Sequence, residues 1–277
     1  MNVDQLVVEA ELLAIDFRNM YVQQGKQTPA RTGMHASAIL QPESEWCARE
    51  QVLHHLFPDQ AEQGDGWQPW DWKKKAIFET GWDLHRRWQK LFLEQGNVVY
   101  SPVPPEYVLA HSQHLKLIDG QWCAPELDLT HYDEWRNLYF SPDAIINFGG
   151  QRYVVEIKGI KQEAYQYLTD DLEQACVCCE TVHKAREQCN LYMHLLGLQR
   201  GVILVENKNT CDFRLWVIEY EFKRYQPYRD RIYRVKGATQ LVKSQGLAML
   251  PVRCCQSAAD SRAKRCPMRS ACFIERN

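Results

Sequence analysis

The segment that decides the fold reads SPDAII at 141–146, GG at 149–150 and VVEIK at 154–158. Two β-rich runs, 144–148 and 153–157, flank the two glycines, and this arrangement predicts a β-hairpin. Because side chains alternate along a strand, Glu156 and Lys158 share one face and Ile157 points the other way, into the core. Asp143 opens the first strand, so we expect three polar groups to converge at one end of the hairpin.

These three residue types suit metal-assisted hydrolysis of a phosphodiester. Asp143 and Glu156 supply the oxygen ligands that Mg²⁺ or Mn²⁺ prefers, and such an ion can activate a bound water and hold a phosphate. Lys158 can orient or deprotonate the attacking water, or stabilise charge on the phosphate. The simpler interpretation is an exposed Glu and Lys on an edge hairpin, since an Asp followed by Glu-x-Lys is common by chance.

Length and composition indicate a globular protein. The chain has 277 residues, of which 45% are hydrophobic and 25% charged, enough for a sizeable core in one or two domains. The longest apolar stretches are far shorter than a membrane span, and the first residues lack the regions of a signal peptide. The sequence therefore predicts a soluble, cytoplasmic protein (in the host cytoplasm if phage-encoded) without a membrane partner.

Charge is distributed unevenly along the chain. Residues 223–277 carry 13 Lys and Arg against 3 Asp and Glu, whereas residues 1–222 carry 20 against 32. A basic C-terminal region on an acidic body suits a polyanion partner such as DNA, together with a carboxylate-lined metal site. A solvated helix face explains the basic run equally well.

The order of predicted elements indicates one α/β core with helical additions at both ends. Residues 1–72 form an N-terminal helical region, 73–222 the core, and 223–277 a basic helix and a cysteine-bearing tail. Periodicity predicts helices at 3–21, at 44–57 with Ser44 as N-cap, and at 73–94. It also predicts a strand at 97–100, a mostly helical region in two pieces at 164–198, strands at 202–205 and 213–220, and a helix or helix pair at 223–245.

Two helical motifs flank the hairpin. GWDLH at 81–85 precedes it, and QCNLY at 188–192 follows it, placing Gln188 and Tyr192 on one helix face. Each motif is weak alone. In this order they resemble the RecB-like branch of the PD-(D/E)XK nucleases, especially the Cas4 and AddB types, in which a helical G-x-x-x-H precedes the Asp, the E-x-K strand and a Q-x-x-x-Y helix. The resemblance covers roughly residues 35–275.

The resemblance implies a restriction-endonuclease-like core, with a mixed central sheet flanked by helices, and a metal-dependent DNA nuclease. The activity it favours is that of an exonuclease on single-stranded DNA or DNA ends. By the same resemblance the metal ligands are His85, Asp143, Glu156 and the Ile157 carbonyl, Lys158 is the catalytic lysine, and Gln188 and Tyr192 position the DNA. Glu79, more than one turn before His85, is a less certain neighbour.

The chain has 11 cysteines and no secretion signal, which favours metal binding or packing over disulfides. Ordinary reduced cysteines are the simpler interpretation. The resemblance implies a [4Fe-4S] cluster that joins the helical additions, held by Cys47, by Cys254 or Cys255, and by Cys266 and Cys272. The family's close C-x-x-C is missing because position 263 is Ala, and Zn²⁺ is the rival occupant.

Other functions fit the same residues. Trp67, Trp70, Trp72 and Trp82 flank Lys73, Lys74 and Lys75, and these rings could stack bases beside a basic rim or pack in the core. A catalytically silent DNA-binding or adaptor module that keeps the fold and the cluster is the main alternative, and an iron–sulfur redox protein is a third. A second copy of the chain or a recombination or helicase protein is a further candidate partner.

Overall fold

The computed structural model describes residues 34–60, 72–110 and 114–273, together with Ala14. Apart from Ala14, the helix predicted at 3–21 lies outside the described residues, as do Trp67 and Trp70. The described part is a mixed α/β structure with several sheets and helices. Among its helices, none combines the length and the apolar character needed to cross a membrane.

The described residues form the following helices and strands in chain order. They are β1 (Met34–His35), α1 (Ala36–Ile39), α2 (Ala48–Leu56), α3 (Trp72–Glu94), β2 (Tyr100–Pro102), α4 (Pro105–Ala110), β3 (Lys116–Ile118), β4 (Gln121–Pro125), β5 (His131–Asp133), β6 (Leu138–Phe140), β7 (Ala144–Phe148), β8 (Gln151–Ile160), α5 (Gln162–Tyr165), α6 (Leu172–Cys178), α7 (Glu180–Leu196), β9 (Arg200–Asn207), β10 (Phe213–Glu219), α8 (Phe222–Gln245), α9 (Ser261–Arg265) and α10 (Arg269–Phe273).

The predicted hairpin forms the edge of a four-stranded mixed sheet. Strands β7 and β8 are antiparallel, with Ala144 opposite Val155. Gly149 and Gly150 both adopt positive φ, 58° and 78°, a backbone that this tight turn requires and that glycine adopts readily. Strand β9 adds parallel to β8 and β10 adds antiparallel to β9, which gives the order β10-β9-β8-β7.

One helix covers each face of this sheet, as side-chain alternation requires. On one face, Val154 and Ile203 pack in a core that includes the buried side of α7. On the other face, Val155 and Ile157 pack against Leu84 of α3. Because α3 and α7 carry the two flanking motifs, the sheet brings both motifs to the hairpin that lies between them in sequence.

The N-terminal and C-terminal additions pack on each other. Val52 of α2 shares a core with Ile232 and Val235 of α8. Two arginines add backbone contacts: Arg49 donates to the Pro251 carbonyl at 3.0 Å, and Arg262 to the Trp46 carbonyl at 2.7 Å. The tail therefore lies against α2, and the division of the chain at 73 and 223 stays a prediction.

Several helix boundaries differ from the sequence prediction. Helix α2 begins at Ala48 with Cys47 as its N-cap, so Ser44 does not cap it. The reason is a turn in which the N–H groups of residues 45 and 46 both donate to the Pro42 carbonyl. The region predicted as helical at 164–198 forms three helices, since Asp171 caps α6 and the extended backbone of Cys179 separates α6 from α7.

The short strands were the least predictable elements. The strand expected at 97–100 lies at Tyr100–Pro102, and Val98 makes only an isolated bridge to Ile146. Two three-stranded sheets, β1-β6-β5 and β2-β4-β3, were not predicted because their strands of two to five residues are too short for a clear alternation. The basic region 223–245 forms a single helix, with Pro227 in its first turns.

Candidate active site

The hairpin register brings Asp143 beside Glu156. Since Ala144 lies opposite Val155, one further step along the antiparallel register places Asp143 opposite Glu156. Asp143 is buried, and its Oδ2 accepts a hydrogen bond of 2.6 Å from the Ile157 backbone N–H. Its other oxygen, Oδ1, lies 3.3 Å from Nδ1 of His85 on α3. The convergence predicted for the hairpin is therefore present, and α3 adds its histidine to it.

Glu156 is completely buried, at 0% exposure. Its Oε1 accepts a hydrogen bond from Lys158 Nζ, while its Oε2 has no hydrogen-bond partner among the described residues. Burial, followed by the neighbouring Asp143 carboxylate, raises the pKa of Glu156 to about 8. A buried carboxylate oxygen without a donor is uncommon in folded proteins and calls for an explanation.

Burial and the neighbouring carboxylates shift the pKa of Lys158 and of His85 in opposite directions. Burial lowers the pKa of each, but the carboxylates outweigh it and the pKa of each group is raised. For Lys158 the main attraction comes from Glu156, and for His85 it comes from the hydrogen bond with Asp143. The carboxylates beside Lys158 and His85 therefore favour the charged form of each.

A second aspartate joins the site from the loop after β4. Ligand atoms of His85, Asp128 and Asp143 all lie within 4.8 Å of one another, and this is the one such group of three found among the described residues. Gln89, one turn after His85, donates to Asp128 Oδ2 at 2.7 Å and to the Asp143 carbonyl at 2.9 Å. Gln89 thus positions the loop, whereas Glu79 is not a member of this group.

Sequence reasoning missed both Asp128 and Gln89. Gln89 could have been found, because it lies at i+4 from His85 and so on the same helix face. Asp128 carries no such signal. It sits in a loop with a φ of 51°, in the left-handed region that Asp adopts more readily than most residues.

The donor set fits a hard divalent cation. Asp128 and Asp143 offer carboxylate oxygens beside one imidazole nitrogen. Glu156 is outside this group of three, but its Oε2 has no hydrogen-bond partner among the described residues and is a candidate further oxygen. Ile157 contacts the site through its backbone N–H, and its side chain is fully buried in the core, as the sequence predicted. The predicted roles of His85, Asp143, Glu156 and the Ile157 carbonyl as metal ligands remain proposals.

The downstream helix motif forms a hydrogen-bonded pair. Gln188 Nε2 donates to the Tyr192 hydroxyl at 2.9 Å, as their i and i+4 spacing on α7 allows. Tyr192 is almost fully buried, and its ring lies 5.6 Å from that of Phe140, centroid to centroid. Burial, followed by the charge of Glu156, raises the pKa of Tyr192, so the hydroxyl stays neutral beside the carboxylates.

The predicted base-stacking rim is described only in part. Trp82 on α3 is 52% exposed, whereas Lys75 on the same helix is buried. Trp72 begins α3. The described residues therefore leave the stacking role of this rim as a prediction.

All five predicted cluster cysteines line one small cavity between α2 and the C-terminal tail. They are Cys47, Cys254, Cys255, Cys266 and Cys272. Burial raises the pKa of the Cys47 thiol to about 11, and the hydrogen bond with Cys254 adds to this. Burial likewise raises the pKa of Cys266 to about 12, and the negative charge of Glu50 is the second cause of this rise. Cys254 Sγ and Cys255 Sγ are 3.8 Å apart.

Two arginines stand beside these sulfurs. Arg49 Nε lies 3.2 Å from Cys272 Sγ, and Arg262 lines the same cavity. Both arginines bring positive charge to the cavity that the sulfurs line. Outside this cavity, Cys123 and Cys189 are buried and Cys211 is exposed.

The chain matches no protein-family model and no curated protein. Among solved structures, it is similar to the alkaline exonuclease LHK-Exo from Laribacter hongkongensis, with a TM-score of 0.42 and 12% identity over 79% of this chain and 96% of that chain. For a phage related exonuclease from Haemophilus somnus the TM-score is 0.36 and the identity 12%, over 75% of this chain and 92% of that chain. For a protein designated SSO0001 the TM-score is 0.40 and the identity 10%, over 96% of this chain and 98% of that chain. At TM-scores this low the likenesses carry no argument, and the activity is inferred from the chain's own residues.

Proposed function

We propose that this chain is a metal-dependent DNA nuclease of the PD-(D/E)XK type that hydrolyses phosphodiester bonds. The observation that carries the proposal is the buried, unpartnered Oε2 of Glu156 beside the three gathered ligands His85, Asp128 and Asp143. A buried carboxylate without a donor is satisfied when it binds a cation. The order of four motifs along the sequence, which resembles the RecB-like branch, supports the same conclusion.

His85, Asp128, Asp143 and Glu156 would hold Mg²⁺ or Mn²⁺, which when bound supplies a Lewis acid and a water of lowered pKa. The protein's own groups prepare the site around these ligands. The Ile157 N–H fixes Asp143 Oδ2, and Gln89 fixes the loop that carries Asp128. Such fixed ligands cost little reorganisation when the substrate arrives.

Lys158 and the α7 pair would act on the substrate. Lys158 Nζ, held by Glu156 Oε1, carries a positive charge that can stabilise negative charge on the scissile phosphate. The buried Tyr192 hydroxyl accepts a hydrogen bond from Gln188 and would hold this half-buried amide in place, so that the pair can position the strand without repelling it. These roles for Gln188 and Tyr192 follow the resemblance, as does the proposed exonuclease action on single strands or DNA ends.

We also propose that the cysteine cavity holds a [4Fe-4S] cluster bound by Cys47, Cys254, Cys266 and Cys272. Between Cys254 and Cys255, the contact with Cys47 favours Cys254. A single Zn²⁺, with Zn–S distances of about 2.3 Å, needs sulfurs about 3.8 Å apart. Cys254 Sγ and Cys255 Sγ, 3.8 Å apart, have this spacing, so Zn²⁺ is the alternative occupant of the cavity.

The cleavage test compares the wild-type protein with Lys158→Ala on end-labelled single-stranded and double-stranded DNA, with Mg²⁺ or Mn²⁺. Lys184→Ala is the matched control, because Lys184 pairs with Glu180 on the exposed surface of α7. We expect cleavage by the wild type and the control, and loss of cleavage in Lys158→Ala. Equal cleavage by all three proteins would contradict the assignment, and binding without cleavage by the wild type would favour the silent adaptor.

A further inference from the structure

An exposed aromatic and basic surface lies away from the candidate active site, between the β5–β6 hairpin and α8. Trp135 at the hairpin tip is 53% exposed, Tyr132 on β5 is 48% exposed, and Tyr233 on α8 is 45% exposed. We call these three rings, together with Lys236 and Lys243 of α8, the hairpin–helix platform. Three large exposed rings on one surface are unusual for a side that only faces solvent.

The packing of the platform holds its central ring in place. Trp135 and Tyr233 meet edge to face, with centroids 5.4 Å apart. Lys236 Nζ lies 4.5 Å from the centroid of the Trp135 ring and also donates a hydrogen bond to the Trp135 carbonyl. Arg136 Cζ lies 5.0 Å from the same ring. A ring held in this way loses little conformational entropy when a ligand stacks on it.

A cavity opens beside the rings, and its lining includes apolar residues, Met34 and Val235, as well as polar ones. Lys236, Lys243 and Asn137 line it with Tyr132, and Glu134 is its acidic member. Thr239 also lines it, is 6% exposed, and its Oγ1 has no hydrogen-bond partner among the described residues. The surface thus offers stacking rings and cationic side chains in one place.

We propose that the hairpin–helix platform binds a segment of single-stranded DNA, an inference that rests on the proposed nuclease function. Single-strand binding sites combine aromatic rings, on which bases stack, with cationic side chains that follow the backbone. Bases in a duplex are already stacked on each other, so exposed rings of this kind favour an unpaired strand. Lys236 and Lys243 match the phosphate charge.

The platform is connected to the candidate active site by β6. The chain runs from the hairpin tip through β6 and reaches Asp143 three residues after Phe140. At about 3.3 Å per residue, the path from Asn137 to Asp143 is at most about 20 Å. A strand of several nucleotides could therefore lie on the platform while one of its phosphates reaches the site, which fits binding sites of about four nucleotides or more.

The test measures the affinity of a fluorescein-labelled oligothymidylate by fluorescence anisotropy, in a Lys158→Ala background without cleavage. We expect Trp135→Ala to raise the Kd about fivefold or more, the low end for one lost base stack. Trp135→Phe, which keeps a stacking ring, should restore most of the affinity. The matched control is Trp122→Ala, because Trp122 on β4 is 47% exposed outside the platform.

Salt dependence supplies a second readout. Each phosphate contact on a single strand contributes about 0.7 to the slope of log K against log salt, so Lys243→Ala should lower that slope by about this amount. Equal Kd values for Trp135→Ala and Trp122→Ala would refute DNA binding by the platform, even if the wild type cleaves DNA. If the wild type cleaves no DNA but Trp135→Ala still weakens binding, the nuclease proposal is refuted and DNA binding by the platform is supported.

Discussion

Replacing Glu156 with Gln is expected to stabilise the metal-free protein while abolishing its proposed activity. Gln keeps the shape of Glu156 and can still accept a hydrogen bond from Lys158, but it cannot ionise. Glu156 is completely buried, and its pKa in the folded protein is about 8 against an ordinary 4.5. The unfolded wild-type chain therefore gains free energy by ionising Glu156 at neutral pH, whereas the folded protein does not.

The size of this effect follows from the two pKa values. The contribution of Glu156 to folding stability is fully present below its ordinary pKa of 4.5 and is lost as pH rises through the folded value of about 8. At pH 7 the loss is about 3 kcal/mol, and at pH 5 it is below about 1 kcal/mol. Glu156→Gln should therefore be more stable than the wild type by about these amounts.

The assay is urea unfolding at pH 5 and pH 7 with EDTA, and the control is Glu126→Gln. Glu126 is also buried, but its Oε2 lies 2.8 Å from His131 Nε2, so its replacement should destabilise the protein. The reasoning is refuted if Glu156→Gln is less stable than the wild type at pH 7. It is also refuted if the difference between these two proteins is the same at both pH values.

Three further predictions concern the proposed ligands and the α7 pair. Asp128→Asn should weaken Mn²⁺ binding about tenfold in a calorimetric titration, since it removes one charged ligand; unchanged affinity would remove Asp128 from the site. Tyr192→Phe should keep the fold by circular dichroism and lower the cleavage rate, and an unchanged rate would show that the hydroxyl has no role. Cys47→Ser should remove the absorbance band of the proposed cluster at about 400 nm, which bleaches on reduction. The absence of this band in the iron-reconstituted wild type would favour zinc, which metal analysis would then detect.

The central hairpin could be predicted because every local signal agrees there. The glycines at 149 and 150 take the positive φ values that a tight turn needs, and the β-rich run at 154–157 is buried throughout, as a strand covered on both faces is. The long helix α3 was predictable for the same reason, since its apolar residues recur with the helical period and Gly96, with a φ of 71°, follows its end.

Other features depend on contacts that sequence patterns do not encode. Asp128 reaches the site because Gln89 of α3 binds it across the molecule, and the loop that carries it has no periodicity. Cys47 replaces Ser44 as the helix N-cap because a turn on the Pro42 carbonyl occupies the intervening residues. The meeting of Cys47 with the C-terminal cysteines was expected from the resemblance, whereas the contact that favours Cys254 over Cys255 required the three-dimensional arrangement.

The most direct measurement is the time course of strand shortening on end-labelled single-stranded DNA, comparing the wild type with Asp143→Asn in Mn²⁺ and in EDTA. Asp143 is the residue that joins the hairpin, His85 and the Ile157 N–H. We predict that the wild type shortens the strand only with Mn²⁺, and that Asp143→Asn binds the same DNA without shortening it. Shortening by Asp143→Asn at the wild-type rate, or by the wild type in EDTA, would contradict a metal-dependent nuclease at this site.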